Sequence, residues 1–330
     1  MRKLRAFINY KTIDKPWGGS NSFLCALKTY LSNSGNIELV FDKSGDFDLL
    51  LLNTAYIAPG KYVSLKQIRG YYDYGYSSFL QYFLNGFRKR QVKIIIRLDG
   101  LRRFYADMPE VKSDRIQLEL IKHAHTVIFQ SDESLKQFQR VIGKVSTPYY
   151  IIHNGVNQKL FNMGGKKFWN KRDKLKIFAT SWSNNLRKGF KDIARLSSID
   201  GITVNFVGRW PEGINKGNVN IKAPMSQKLL AEEYKKNDLF FFPSQNEACA
   251  NVVYEALSCG LPVVYHPSGG TSEIAAGYGV ELTDNLYSTV EKISDNYDFY
   301  IEQIKHDHRM FSIDYVGAKY VEVFQKVCLS

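Results

Sequence analysis

Two apolar runs, Phe240-Phe241-Phe242 and Leu261-Pro262-Val263-Val264, constrain the fold of this chain more than any other feature. Between them lie a polar loop, Pro243 to Ala250, and a helix-length segment that closes at Gly260. A strand, a helix and a second strand in that order predict a parallel pair whose faces are both covered, because parallel strands need a crossover and the crossover shields the sheet. Loops at the carboxyl ends of such strands are where ligands bind, and this one carries Glu247, with Glu255 following in the helix.

The same alternation recurs along the chain. Strands are predicted at 4–9, 37–41, 47–53, 92–98, 126–130 and 149–153, with helices between several of them. After His153-Asn154-Gly155-Val156-Asn157, an Asn-Gly turn, comes a polar, Gly- and Lys-rich stretch through Lys174 that reads as a linker. A second series follows at 175–180, 202–207, 219–222, 239–242 and 262–265. The expected fold class is α/β with two Rossmann-like, doubly wound domains, 1–157 and 158–311, and a helix over 312–330 assigned to the first.

At 330 residues and 44% hydrophobic, the chain is long enough for two cores and is not disordered. It has no apolar run of the roughly 20 residues that cross a bilayer, and its start, Met1 to Tyr10, lacks a signal-peptide pattern, so a cytoplasmic location, or a peripheral one on the cytoplasmic membrane face, is expected. Cys25, Cys249, Cys259 and Cys328 have no framework spacing and read as free thiols. A net charge of +13 favours an anionic partner: phosphorylated substrates, an acidic membrane surface or nucleic acid. No nucleic-acid motif presents the clusters Arg88-Lys89-Arg90, Arg102-Arg103 and Lys166-Lys167 to bases, so no specific nucleic acid is expected.

The loop Ala179-Thr180-Ser181-Trp182-Ser183-Asn184-Asn185-Leu186-Arg187-Lys188-Gly189 follows a strand and opens a helix, which is how phosphate sites are built. Asn251 reads as the N-cap of the helix that holds Glu255, pointing free N–H groups at the same crevice as the two acids. The spacing Glu247-x7-Glu255, the preceding Pro243-Ser244, the run Asn251-Val252-Val253 to Glu255-Ala256-Leu257, Cys259-Gly260-Leu261-Pro262, and the loop Ser268-Gly269-Gly270 together resemble the retaining GT-B glycosyltransferases, above all family 4.

That resemblance implies a nucleotide-diphosphate sugar donor of UDP or GDP type, no bound cofactor and no metal. It assigns Glu247 to the donor sugar, Glu255 to the ribose hydroxyls, and Lys188 to the diphosphate with Asn251 and Val252 at the helix start. Many family members place an arginine five residues ahead of the lysine; here that position is Ser183, and Arg187 is the neighbouring cation. Gly208, at a strand end, resembles the glycine beside the nucleotide; Trp210 either stacks on a base or packs on the domain. Pro16-Trp17-Gly18-Gly19 resembles the family's first glycine loop, with Gly19 as the contact, and Asp99 stands near the position of a family histidine, where it either orients the sugar or caps a turn.

The aromatic stretch Tyr71 to Phe83, next to Arg88-Lys89-Arg90, is read as burial against the sheet or as a surface for an anionic membrane or a lipid-linked or glycan acceptor. Neither His123-Ala124-His125 nor His306-Asp307-His308 has metal-ligand spacing, and Asp46-Phe47-Asp48 precedes a buried strand, where its second acid is expected to start that strand. The implied activity is sugar transfer with retention of configuration. Its rivals are a sugar-nucleotide epimerase or hydrolase on the same fold, and a non-catalytic basic module for membrane or nucleic acid.

Overall fold

The computed structural model describes residues 2–10, 12–13, 18–42, 46–53, 86, 91–105 and 112–329. Pro16 and Trp17 of the glycine loop, the stretch Tyr71 to Phe83 and the cluster Arg88 to Arg90 lie outside the described residues. The chain divides into two compact units: Met1–Ile13, Leu24–His153 and Val316–Ser330 make the first, and Asp14–Phe23 with Asn154–Tyr315 make the second.

The first unit contains β1 (Leu4–Asn9), most of α1 (Gly19–Asn33), β2 (Ile37–Val40), β3 (Leu49–Asn53), β4 (Lys93–Leu98), α2 (Arg102–Tyr105), α3 (Lys112–Ile121), β5 (Thr126–Phe129), α4 (Asp132–Ile142) and β6 (Tyr149–Ile151). The strands form one parallel sheet in the order β2-β1-β3-β4-β5-β6. Leu49 to Leu51 and Ile94 to Ile96 have no exposed surface, as strands covered on both faces require. Ser131 starts α4 by accepting the Ser134 N–H on its hydroxyl. Asp48 lies just ahead of β3, where its carboxylate accepts the Arg5 backbone N–H at 2.8 Å and pairs with Arg2.

The second unit contains β7 (Leu175–Ser181), α5 (Phe190–Leu196), β8 (Ile202–Gly208), β9 (Asn220–Lys222), α6 (Gln227–Lys235), β10 (Leu239–Phe242), α7 (Asn251–Ser258), β11 (Val263–Tyr265), α8 (Thr271–Ala275), β12 (Gly279–Glu281), α9 (Leu286–Asp295) and α10 (Tyr297–Asp307). α11 (Ile313–Leu329) then carries the chain into the first unit's residues. The second sheet is also parallel, in the order β12-β11-β10-β7-β8-β9. Successive side chains of β10 go to opposite faces: Phe240 and Phe242 join a core with Phe178, Tyr234 and the buried side of α7, whereas Leu239 and Phe241 join one with Ile177, Phe190 and Val264. That two-sided burial is why the run is apolar throughout.

The stretch 158–174, expected as a polar linker, is packed into this unit. Phe161 is buried against Tyr234 with ring centroids 6.0 Å apart, and Lys166 donates to the Asn237 carbonyl at 2.5 Å. Burial pushes the Lys166 ammonium down to about 8, against the pull of Asp238 and the Cys259 thiol. Its Gly and Lys composition hid an apolar anchor every few residues.

Gly208 closes β8 with φ +142, and a Cβ there would stand 2.0 Å from the Ser181 carbonyl oxygen of the neighbouring strand. Only glycine tolerates that backbone and that approach. Gly208→Ala is expected to cost about 1–3 kcal/mol, the scale of a residue forced into glycine-only backbone space, and more if the strand ends separate. A thermal unfolding midpoint equal to that of the parent would contradict this packing.

Candidate active site

Chain order reverses inside the second sheet: β7, β8 and β9 run outward to one side, and β10, β11 and β12 to the other. The carboxyl ends of β7 and β10 therefore flank a topological switch point, the place where open α/β sheets hold their ligands. The loop after β7 and the loop after β10 are fastened to each other there. The Gln245 N–H donates to the Arg187 carbonyl at 3.0 Å, and Gly189, with φ +73, lies so close that a Cβ would meet the Pro243 ring at 2.6 Å.

This brings together two of the residues singled out by sequence. The Lys188 ammonium is ion-paired with Glu247 Oε1, and the Ser244 hydroxyl donates to the same oxygen at 2.8 Å. Both charged side chains are 24% exposed, so the pair is neither a solvated surface contact nor sealed away. Burial pushes the Glu247 carboxyl up, but the Lys188 charge and the two hydrogen bonds outweigh it and hold the group below the ordinary glutamate value. Arg187 and Lys188 belong to a 3-10 turn, Leu186–Lys188, capped by the Asn185 side chain, which accepts the Arg187 N–H.

A third loop, after β11, fixes Glu247 from behind. Gly270 N–H donates to the Glu247 carbonyl at 2.8 Å, and the Asn246 N–H donates to the Ser268 hydroxyl at 2.9 Å. Asn246 has φ +57, in the left-handed region that asparagine tolerates better than most residues. Ser268 in turn shares a 2.8 Å hydrogen bond with His266 Nδ1, and burial lowers the pKa of that imidazole.

One expectation about α7 is corrected. Asn251 is the first residue of the helix; Ala250 is the N-cap, and no side chain caps it. The Asn251 side chain is buried and used otherwise, donating to the Gly19 carbonyl and accepting from Asn154 Nδ2 at 2.7 Å. Asparagine at a helix start reads as a cap from sequence, but here tertiary partners compete for its amide. Glu255 was expected to face the same crevice as Glu247. It is 5% exposed, and Oε2 accepts the Tyr234 hydroxyl at 3.1 Å, which leaves Oε1 as its other acceptor. Burial pushes its carboxyl up to about 7, against the Tyr234 hydrogen bond.

The remaining candidates fall as follows. Val252 offers its carbonyl to the Tyr234 hydroxyl at 3.2 Å. Gly19 begins α1 and touches Asn251. Gly208 has a structural reason of its own in the Ser181 carbonyl. Trp210 packs edge-on against Phe190 and Phe206 and donates to the Ile214 carbonyl, so it is a packing residue. In the first unit Asp99 accepts from Arg97 at 3.1 Å and from Gln130, while the Arg97 guanidinium, wholly buried, also donates to Asn53. His125 Nδ1 accepts the Ile94 N–H, and His123 pairs with Glu119. Among the described residues no three His, Cys, Asp or Glu side chains come together as metal ligands, and no helix is long and apolar enough to cross a membrane.

The partners of Ser268 and Asn154, and any role for Tyr234, were not foreseen because those partners are distant in the chain; no spacing rule links Ser268 to Asn246 or Tyr234 to Glu255. Ser244 lay within the quoted motif, and its short reach to Glu247 was the available signal.

The Glu255 shift has a signed consequence. A carboxyl that titrates higher folded than unfolded binds an extra proton in the native state between its unfolded value near 4.5 and about 7, so stability falls as pH rises through that window. Glu255→Gln is expected to remove this loss: the stability of parent relative to variant should decline from pH 5 to pH 7 and level off above. Denaturant unfolding at several pH values measures it, and a constant difference would contradict the buried carboxyl.

Residues 213–310 match the family model of glycosyl transferases group 1. No curated protein matches the chain significantly. Among solved structures it is similar to HepE from Anabaena in complex with UDP-glucose, at 13% identity over 98% of this chain and 100% of that one, TM-score 0.67. It is similar to the catalytic domain of starch synthase IV from Arabidopsis thaliana bound to ADP and acarbose, at 12% identity over 99% and 100%, TM-score 0.66. WaaG, a glycosyltransferase involved in lipopolysaccharide biosynthesis, matches at 16% identity over 97% and 99%, TM-score 0.61. With two parallel six-stranded sheets, each flanked by helices, the chain has the GT-B fold of these glycosyltransferases.

Proposed function

We propose that this protein is a retaining glycosyltransferase of family 4 type, moving a sugar from a nucleotide-diphosphate sugar to a glycan or lipid-linked acceptor without a metal ion. The observation that carries the reading is the Lys188–Glu247 ion pair at the switch point of the second sheet. The group 1 match over 213–310, which includes Glu247 and Glu255, supports it. So does the likeness to HepE, whose structures contain UDP and UDP-glucose.

An ammonium has three protons to donate and a carboxylate several lone pairs, so each member of the pair can hold the other and still take a ligand atom. In this reading Lys188 gives its further protons to the donor's phosphate oxygens, and Glu247, kept ionised by Lys188 and Ser244, accepts from the sugar's hydroxyls. As the bond from the anomeric carbon to the phosphate oxygen breaks, its electron pair goes to that oxygen. A cation already in place stabilises the charge without reorganisation. The acceptor hydroxyl enters on the face the phosphate leaves, the departing phosphate takes its proton, and the new glycosidic bond forms with configuration retained. Glu255 would serve the ribose through the oxygen that Tyr234 does not hold.

Transfer from radiolabelled UDP-, GDP- and ADP-sugars to glycan and lipid-linked acceptors tests the activity. Free or epimerised sugar with no glycoside would sink the transferase reading in favour of a hydrolase or epimerase, and an inverted product would sink retention. Lys188→Ala is expected to lower kcat by about tenfold to a thousandfold, the scale of losing one preorganised charge-stabilising group. Glu247→Gln should act mainly on kcat and Glu255→Gln mainly on nucleotide affinity, and identical kinetic signatures would undo that division. Exhaustive chelation with EDTA should leave turnover within about twofold, because Lys188 and the start of α7 supply the positive charge that a divalent ion gives other transferases. Loss of activity restored by manganese or magnesium would reject metal independence.

A further inference from the structure

Lys188 is shared between Glu247 and any phosphate, and a nucleotide diphosphate carries at least two negative charges. The rim around it needs a cation whose charge is not already offset. Arg209 is the first residue after β8, and its N–H donates to the Ser181 carbonyl at 3.0 Å, which ties the end of β8 to the end of β7. Its guanidinium lies 4.4 Å over the Trp182 ring. Trp182 opens the same loop that ends in Lys188, and no carboxylate among the described residues pairs with Arg209. A guanidinium stacked on an indole is fixed in orientation while its N–H edge stays free to donate in a fork to phosphate oxygens. The glycine before it, Gly208, lets the two strand ends approach closely enough for the stack to form.

From these contacts we infer that Arg209, set by Trp182, is the second phosphate-binding cation of the donor site. The inference rests on the donor reading above and names a residue that reading does not use. Arg187, the cation adjacent to Lys188 in sequence, has both its backbone N–H and its carbonyl committed to holding the loops together, to Asn185 and Gln245. Arg209 is the cation at this edge whose guanidinium is seated on an aromatic ring of the same loop.

Calorimetric titration of the full chain with UDP, GDP and ADP, and with uridine, guanosine and adenosine, tests it. For whichever diphosphate binds, Arg209→Ala is expected to weaken affinity by about tenfold to a hundredfold, the range for losing a charge-assisted hydrogen bond, with the matching nucleoside changed less than twofold. The salt dependence of diphosphate binding should fall in the same variant. Arg209→Lys, which keeps charge but loses the planar fork, and Trp182→Leu, which loses the stack, should both lie between the parent and Arg209→Ala. Parent-like diphosphate affinity in Arg209→Ala, or equal losses for diphosphate and nucleoside, would overturn the inference and leave the donor reading standing. A parent that binds none of the three diphosphates would overturn both.

Discussion

Lys188 and Glu247 are 59 positions apart in sequence and meet because β7 and β10 are hydrogen-bonded neighbours although β8 and β9 lie between them in the chain. Everything else at the site depends on that adjacency. The ion pair joins the two loops that leave these neighbouring parallel strands. Three kinds of fastening then hold the loops in register: a backbone hydrogen bond from Gln245 to Arg187, the close seat of Gly189 on Pro243, and the backing of Glu247 by the loop that follows β11. The pair can stay partly exposed because backbone contacts also hold the loops in place.

The fold was legible wherever side-chain patterning is local. β10 and β11 announce themselves as apolar runs, and the crossover between them forces parallel pairing, which made the doubly wound architecture readable before any coordinate was known. β12 escaped because Gly279–Glu281 is three residues long and pairs only with β11, so no periodicity can develop. The stretch 158–174 escaped for another reason. Its burial comes from Phe161 and from the stem of Lys166, and a lysine whose chain packs while its ammonium finds a carbonyl looks polar in sequence.

At the site, the sequence named Lys188 and Glu247 and could not foresee that they would hold each other. The partner of a charge is a tertiary fact, as Asn251 shows. Its type and position fit an N-cap, yet Asn154 and Gly19 claim its amide and the helix begins uncapped. Glu255 shows the same limit in depth: a seven-residue spacing places it on the helix, but whether the carboxylate meets water or the Tyr234 hydroxyl is decided by α6, elsewhere in the chain.

The loop that presents Glu247 is held by close-packed glycine backbone as well as by the Ser244 and Ser268 hydroxyls. Gly269 has φ +76, and a single added methyl group there would stand 2.5 Å from the Glu247 carbonyl oxygen. The smallest residue at the rim, Gly269, cannot gain a side chain without moving the acid. Any exchange at Gly269 must be answered by a shift of the Glu247 backbone, so this glycine constrains the site as tightly as the charged residues it supports.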